Sequence, residues 1–299
     1  MQFHKILLVS LVAMLTTVPT YAQDDDADDR DQLKIAALEA LIAAPPEFAL
    51  PRARKIMQEN HSDEVKESAL FILSQIDDPE AHAIVAETAR NSSGDLQIEA
   101  IEMIGIGGDA AALSSLKDIY ANGDSDVREA VIEAYLIADD SDSIYELAMQ
   151  SDGEEFETAV EMLGAMGATD TLRRIRDEGG MSETLIEAYA IAGDYQTLVE
   201  RAMDTTDPDL QAQAIESLGI VGGEDVGTTL VRIYQSSDDD DIKEAALEGM
   251  FIADYDAGLV ELYRSANGAD EKSEILEYLT HMESDAVWEI IDSALEGER

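Results

Sequence analysis

From Gln32 onward the chain repeats itself about every 30 residues, and a period of that length decides the fold before any single residue does. Take an apolar residue as a start and read four, five and eight places on. The frames are Leu33, Ala37, Leu38, Leu41; Val65, Ala69, Leu70, Leu73; Leu96, Ala100, Ile101, Ile104; and Val127, Val131, Ile132, Tyr135. They continue as Met181, Leu185, Ile186, Tyr189; Leu210, Ala214, Ile215, Leu218; and Ile242, Ala246, Leu247, Met250. Two further frames open with an acid, at Glu155 (Ala159, Val160, Leu163) and at Glu271 (Ile275, Leu276, Leu279). Offsets 0, 4, 5 and 8 form one stripe of an α-helix and cannot form one face of a strand.

After each frame comes a short break, often Gly or Asp, and then a second amphipathic run such as Leu113, Leu116, Ile119, Tyr120 or Leu230, Ile233, Tyr234. Asp78-Pro79-Glu80 and Asp207-Pro208-Asp209 place a side-chain acceptor and a proline where a helix must begin. Each unit is therefore a helix pair that cannot bury its apolar stripe alone, so neighbours must stack. The expected fold is all-α, a solenoid of about nine helix pairs over residues 32–299. Its end units are atypical: Pro45-Pro46 interrupts the first before a helical run from Arg52 to Gln58, and the last ends polar at Glu298-Arg299.

The charge restricts the partners. The chain carries 66 acidic against 19 basic side chains, a formal net charge of -47, yet 45% of it is hydrophobic, too much for a disordered polyanion. Nucleic-acid binding runs on Lys and Arg displacing counterions, so nucleic acid is excluded as a partner. With no cysteine there is no disulfide, thiolate nucleophile or Cys-ligated zinc. Residues 1–22 have the form of a signal peptide: Lys5, an apolar run from Ile6 to Met14, then Pro19-Thr20-Tyr21-Ala22. That run is short of the ~20 residues a spanning helix needs. A periplasmic or secreted protein that does not span the membrane is expected. Gln23 to Asp31, with Asp24-Asp25-Asp26 and Asp28-Asp29, reads as a disordered acidic lead-in. It lacks the Gly and distal Glu of a calcium loop. The acidic runs at Asp139 to Asp142 and Asp238 to Asp241 fall where helices stop and start.

The strings DSDVREAVIEAYLIADD (Asp124 to Asp140) and DPDLQAQAIESLGIVGGED (Asp207 to Asp225) resemble the short HEAT-like repeats related to phycobilisome lyases. The shared features are an acidic residue, Val-Arg, two small residues a turn apart, then Leu-Gly-x-Ile-Gly and an acidic turn. The resemblance covers nearly all of the chain after residue 31 and implies a solenoid that acts as a binding scaffold. It implies no particular partner. The Arg stands only at Arg128, with Lys34, Lys66, Lys243 and Lys272 at its place in other units, so the inter-repeat Asp–Arg ladder is incomplete. Nothing beyond the repeats supports chromophore lyase activity.

No catalytic, metal-binding or cofactor motif emerges. Gly105-Ile106-Gly107-Gly108 recurs as Gly219-Ile220-Val221-Gly222-Gly223 in another repeat with no strand before it, which reads as an inter-helix turn and not a phosphate loop. His61, His82 and His281 are scattered without metal-ligand spacing. There is no Gly-x-Ser-x-Gly or Ser-x-x-Lys, and the carboxylates are too many for one pair to stand out as acid and base. Tyr135 and Tyr189 fill the +8 core slot; Tyr120, Tyr234 and Tyr263 recur in second helices as packing residues. No enzyme, cofactor or small-molecule substrate is expected.

One position rises above this background. At offset +6 the nine units read Glu39, Phe71, Glu102, Glu133, Glu161, Glu187, Glu216, Glu248 and Glu277. Offset +6 lies off the apolar stripe, so these side chains point outward from the first helices. In four units offset +2 is also Glu, as in Glu129 with Glu133 and Glu244 with Glu248. Like charges four apart destabilise a helix by about 0.2–0.5 kcal/mol, so helix stability does not explain them. Two readings stand open. In one, Glu102, Glu133, Glu161, Glu187, Glu216 and Glu248 form the partner-binding ridge of an acidic inner groove for a basic segment of a protein. In the other they are a solvated face in a salt-adapted protein, in keeping with 7 Lys against 34 Asp. The expected function is an exported, non-catalytic scaffold. The alternatives are an enzyme or accessory subunit with carboxylate chemistry, or an acidic envelope protein that buffers cations.

Overall fold

A computed structural model describes residues 25–107, 109–282 and 285–296. The expected signal peptide, residues 1–22, lies outside them. The described residues form eighteen helices and no strand, arranged as nine helix pairs: an all-α solenoid. The first helices are α1 (Asp25–Glu39), α3 (Asp63–Ser74), α5 (Asp95–Gly107), α7 (Ser125–Ile137), α9 (Gly153–Ala165), α11 (Glu183–Ala192), α13 (Pro208–Val221), α15 (Asp240–Ile252) and α17 (Ala269–Thr280). The second helices are α2 (Pro46–Gln58), α4 (Pro79–Asn91), α6 (Ala110–Asn122), α8 (Ser141–Ala148), α10 (Thr169–Gly179), α12 (Tyr195–Ala202), α14 (Glu224–Ser236), α16 (Asp256–Ser265) and α18 (Asp285–Glu296). The chain divides after Ile84 into two compact units.

In the first unit the stripe Val65, Ala69, Leu70, Leu73 of α3 is fully buried. Helix α1 departs from expectation at both ends. It begins at Asp25, inside the segment read as a disordered lead-in. Within it Asp31 accepts hydrogen bonds from Lys34 Nζ and Ser62 Oγ, each at 2.7 Å. Those two donors hold the Asp31 carboxyl below the usual carboxylate range. Along the same helix Leu33 is 71% exposed, and of its frame only Leu38 is buried. An end helix has a neighbour on one side only, so much of its stripe finds no partner. Helix α2 starts at Pro46, six residues before the expected Arg52, because proline suits the first turn. Pro51 lies inside it and removes one helical hydrogen bond.

In the second unit the periodic stripes form the core. Ile101, Val131, Ile132, Tyr135, Val160, Leu163, Leu185, Ile186, Tyr189, Ile215, Leu218, Leu247, Ile275 and Leu279 are all buried. The Tyr135 hydroxyl donates to the Leu113 carbonyl at 3.0 Å, and burial pushes it up to about 12. Acidic residues cap the helices: Asp109, Asp124, Asp140, Asp194 and Asp207 each accept the backbone N–H of the third residue of the helix that follows. The acidic runs at Asp139 and Asp238 are thus turn and cap chemistry, with Asp139 itself at φ 57° and Asp239 capping α15.

The glycine strings need correcting. Gly105 and Gly219 are not in turns; they lie within α5 and α13. A Cβ at Gly105 would meet the Ala134 carbonyl oxygen at 2.6 Å, and one at Gly219 would meet that of Gly249 at 2.7 Å. Gly164 stands in the same relation to Ala188 at 2.9 Å. All three glycines are at offset +9, and all three partners are small residues at offset +7 of the next unit. Each removes the side chain that would hold two first helices apart. Among the described residues of the two strings, Gly222 and Gly223, at φ 70° and 100°, form a turn; Gly108 lies outside the described residues.

Candidate functional site

A first helix in the second unit has four sides, set by 100° per residue. The stripe at offsets 0, 4, 5 and 8 faces the core, offsets +7 and +9 face the neighbouring first helices, and offsets +6 and +10 face away from the core. The six candidate glutamates take one helix each: Glu102 on α5, Glu133 on α7, Glu161 on α9, Glu187 on α11, Glu216 on α13 and Glu248 on α15. Glu102 and Glu133 are half-buried and the other four exposed.

The glycine seams draw some of these acids together. Burial, and then the neighbouring charge of Glu133, raise the Glu102 carboxyl above the ordinary value. Glu133 is raised by burial and by Glu129, one turn back on its own helix. Across the Gly219–Gly249 seam, Glu216 is raised by burial and by Glu248. Glu187 accepts a hydrogen bond from Gln213 Nε2 of α13 at 3.2 Å. On α17, Tyr278 is raised by burial and by Glu244, Glu248, Glu274 and Glu277, which carries the acidic face past α15. Among the described residues, no lysine or arginine forms an ion pair with any of the six glutamates.

The offset +1 cations are used elsewhere, at seams where the start of a first helix meets the second helix of the preceding unit. Arg128 Nη1 is 2.7 Å from Glu155 Oε1, its Nε donates to the Tyr120 carbonyl, and its guanidinium stands 5.7 Å from the Tyr120 ring centre. Lys243 lies over Tyr234 at 5.7 Å and Lys272 over Tyr263 at 5.5 Å, the same offset +1 residue on the same recurrent tyrosine. Where the Asp–Arg ladder is missing, a cation–π ladder takes its place. A cleft of about 330 Å³ opens at one of these seams, lined by Lys117, Tyr120, Arg128, Gln150, Ser151 and Glu155 among others. Its two cations are already paired, Lys117 with Glu146 and Arg128 with Glu155.

The isoleucines beside the acidic row escaped the sequence reading. Offset +10, one turn beyond each +6 glutamate, carries Ile106, Ile137, Ala165, Ile191, Ile220 and Ile252 in successive units. Ile191 is 59%, Ile220 70% and Ile252 45% exposed. The signal was present in the repeat alignment, two places beyond the last core offset. Among the described residues there is no group of three or more His, Asp or Glu placed to hold a metal ion, and no helix long and apolar enough to cross a membrane.

Comparison with known proteins bears on the repeats. The family model for HEAT repeats matches residues 50–136 and 186–250, just over half of the chain. No curated protein matches the chain. Among solved structures, the complex of CpcE and CpcF of phycocyanin lyase from Nostoc sp. PCC7120 is similar at 17% identity and a TM-score of 0.36, over 93% of this chain and 98% of that one. Human deoxyhypusine hydroxylase in complex with glycerol is similar at 18% identity and a TM-score of 0.33, over 90% of this chain and 92% of that one. The short helix pairs, the small residues at the first-helix seams and the extent of the family match agree: the chain belongs to the HEAT-repeat family.

Proposed function

We propose that this protein is an exported, non-catalytic scaffold whose glutamate face, from Glu102 to Glu248, holds a basic segment of a partner protein. The observation that carries the reading is charge left without compensation. Burial, and then the charge of the facing acid, raise Glu102 beside Glu133 and Glu216 beside Glu248, while among the described residues no lysine or arginine pairs with any of the six glutamates. Mutual repulsion costs stability in the free protein and is relieved when a cationic chain binds. Acid–base catalysis is disfavoured because Glu161, Glu187, Glu216 and Glu248 stand on an open face and not in a cleft that excludes water. The signal-peptide form of residues 1–22 supports export.

The test is capture from an envelope extract of the source cell by the mature chain and by a variant carrying Glu133→Gln, Glu161→Gln, Glu187→Gln and Glu216→Gln, at low and moderate salt. A basic protein held by the parent and lost by the variant supports the reading. Equal capture by both overturns it and makes the glutamates a solvated surface.

A further inference from the structure

The geometry points to a docking surface with two rows, acidic and apolar, whose occupant is a cationic amphipathic α-helix of a partner protein lying across the first helices α7 to α15. This rests on the reading of the glutamate face as a site for a basic segment and specifies the form of that segment. The apolar row is exposed at Ile191, Ile220 and Ile252, is interrupted by Ala165, and continues through the half-buried Ile137 to Ile106, 36% exposed, on α5. Each isoleucine follows its glutamate by four residues, so the two side chains share one face about 5–6 Å apart. An isoleucine at 70% exposure gains nothing from water, and a single one needs no explanation. Five at one offset of a repeat form a row, and a row of apolar side chains rimmed by charge marks an interaction surface.

The spacing selects a helix. Packed helices stand about 8–10 Å apart, so each row offers one side chain every 8–10 Å along the stack. Seven residues of α-helix rise about 10.5 Å. A partner helix with one Lys or Arg per heptad, and one large apolar residue three or four places on, presents two adjacent stripes in that register. A second copy of this chain is a poor occupant, because it would bring its own glutamates against these. An anionic membrane surface is repelled for the same reason.

Two synthetic helical peptides of equal charge test this by fluorescence anisotropy against the full mature chain. Both carry Lys once per heptad; one has Leu at the adjacent stripe and the other Gln. The Leu peptide is expected to bind about tenfold tighter or more, and to keep that advantage at moderate salt, since apolar burial is not screened. A variant with Ile191→Ser, Ile220→Ser and Ile252→Ser, shown to be folded by circular dichroism, is expected to bind both peptides as the parent binds the Gln peptide. Equal binding of the two peptides by the parent overturns the two-row surface and leaves the acidic face standing. Failure of both peptides to bind overturns both. A parent that dimerises in the ultracentrifuge while the Ile→Ser variant is monomeric also overturns the inference, because the isoleucine row would then be a self-interface.

Discussion

Gly219 of α13 and Gly249 of α15 meet backbone to backbone: a Cβ built on Gly219 would lie 2.7 Å from the Gly249 carbonyl oxygen and 2.8 Å from its Cα. The same contact joins α5 to α7 through Gly105 and Ala134, and α9 to α11 through Gly164 and Ala188. Between α7 and α9, and between α11 and α13, offset +9 is Leu136 and Ala190, and the helices pack less closely. The first helices therefore associate as doublets. In two of the three doublets an acid on one helix is raised, after burial, by its counterpart on the other: Glu102 by Glu133, and Glu216 by Glu248.

Substitution at these glycines has a sign that depends on the seam. Gly219→Ala is expected to destabilise the protein by about 1–3 kcal/mol, since backbone atoms on the far side cannot step aside as a side-chain tip would. Gly179→Ala, at the last residue of α10 with nothing within 4 Å of the new methyl, is expected to stabilise by about 0.5–1 kcal/mol. Urea unfolding of the two variants beside the parent checks both; equal shifts would mean that the close approach of α13 and α15 is not required.

Acidification is expected to stabilise the second unit before it denatures it. Glu102, Glu133, Glu216 and Glu274 have folded-state values raised above 4.5, so between 4.5 and those raised values the native state binds more protons than the unfolded one. In that window stability falls as pH rises. Asp31 and Asp204 are lowered, and their contribution is lost only as pH falls below 3.8. The urea midpoint should therefore be higher at about pH 5 than at pH 7. Glu133→Gln, which removes a like-charge pair with Glu129, should raise stability at pH 7 by about 0.2–0.5 kcal/mol and reduce the difference between the two pH values. A midpoint that rises steadily from pH 5 to 7 would contradict the repulsion.

Most of the fold could be read from offsets alone, because a repeat reports the same environment nine times. Every frame from Val65 to Met250 places its +4, +5 and +8 residues in the core. The reading failed where repetition fails. At α1 the stripe is present in the letters but has no neighbour to bury it, and Leu33 is exposed. Gly105 and Gly219 were misplaced into turns because glycine serves both a turn and a close helix contact, and only the facing residues, Ala134 and Gly249, tell the two apart. Ile106 and Ile220 go with those glycines into the expected turns, and Ile191 falls beyond the last core offset of its frame. Their angle from the stripe, and not their hydrophobicity, puts them on the outer face beside the glutamates.

Arg128 is expected to contribute more than a surface ion pair. Its pairing with Glu155 is half-exposed, which by itself is worth about 0–1 kcal/mol, but the guanidinium also covers Tyr120. Arg128→Ala is therefore expected to cost about 1–2 kcal/mol. Arg128→Lys should recover part of this, because lysine fills the same place over Tyr234 and Tyr263 in the later repeats. A double-mutant cycle of Arg128→Ala with Tyr120→Leu measures the coupling; additivity of the two would show that the ring and the cation do not interact.

Asp194 is the polar side chain on which the α11–α12 turn depends most. It is 6% exposed and accepts from Thr197 N at 3.3 Å, Thr197 Oγ1 at 2.9 Å and Arg173 Nη2 at 2.6 Å. It thus caps α12 and ties α10 to that cap at once. Asp194→Ala leaves the Thr197 N–H and hydroxyl without their acceptor in a buried turn, and is expected to cost about 2–4 kcal/mol. Arg173→Ala should cost less, about 1 kcal/mol, because Asp194 keeps both Thr197 bonds and Arg173 itself is partly exposed. Asp194→Asn, which keeps a cap acceptor but surrenders the charge, should fall between them. Thermal unfolding of the three variants orders them. If Arg173→Ala proved as costly as Asp194→Ala, the ion pair and not the cap would hold the turn, and the second helix would owe its start to its neighbour α10 and not to its own N-terminal residue.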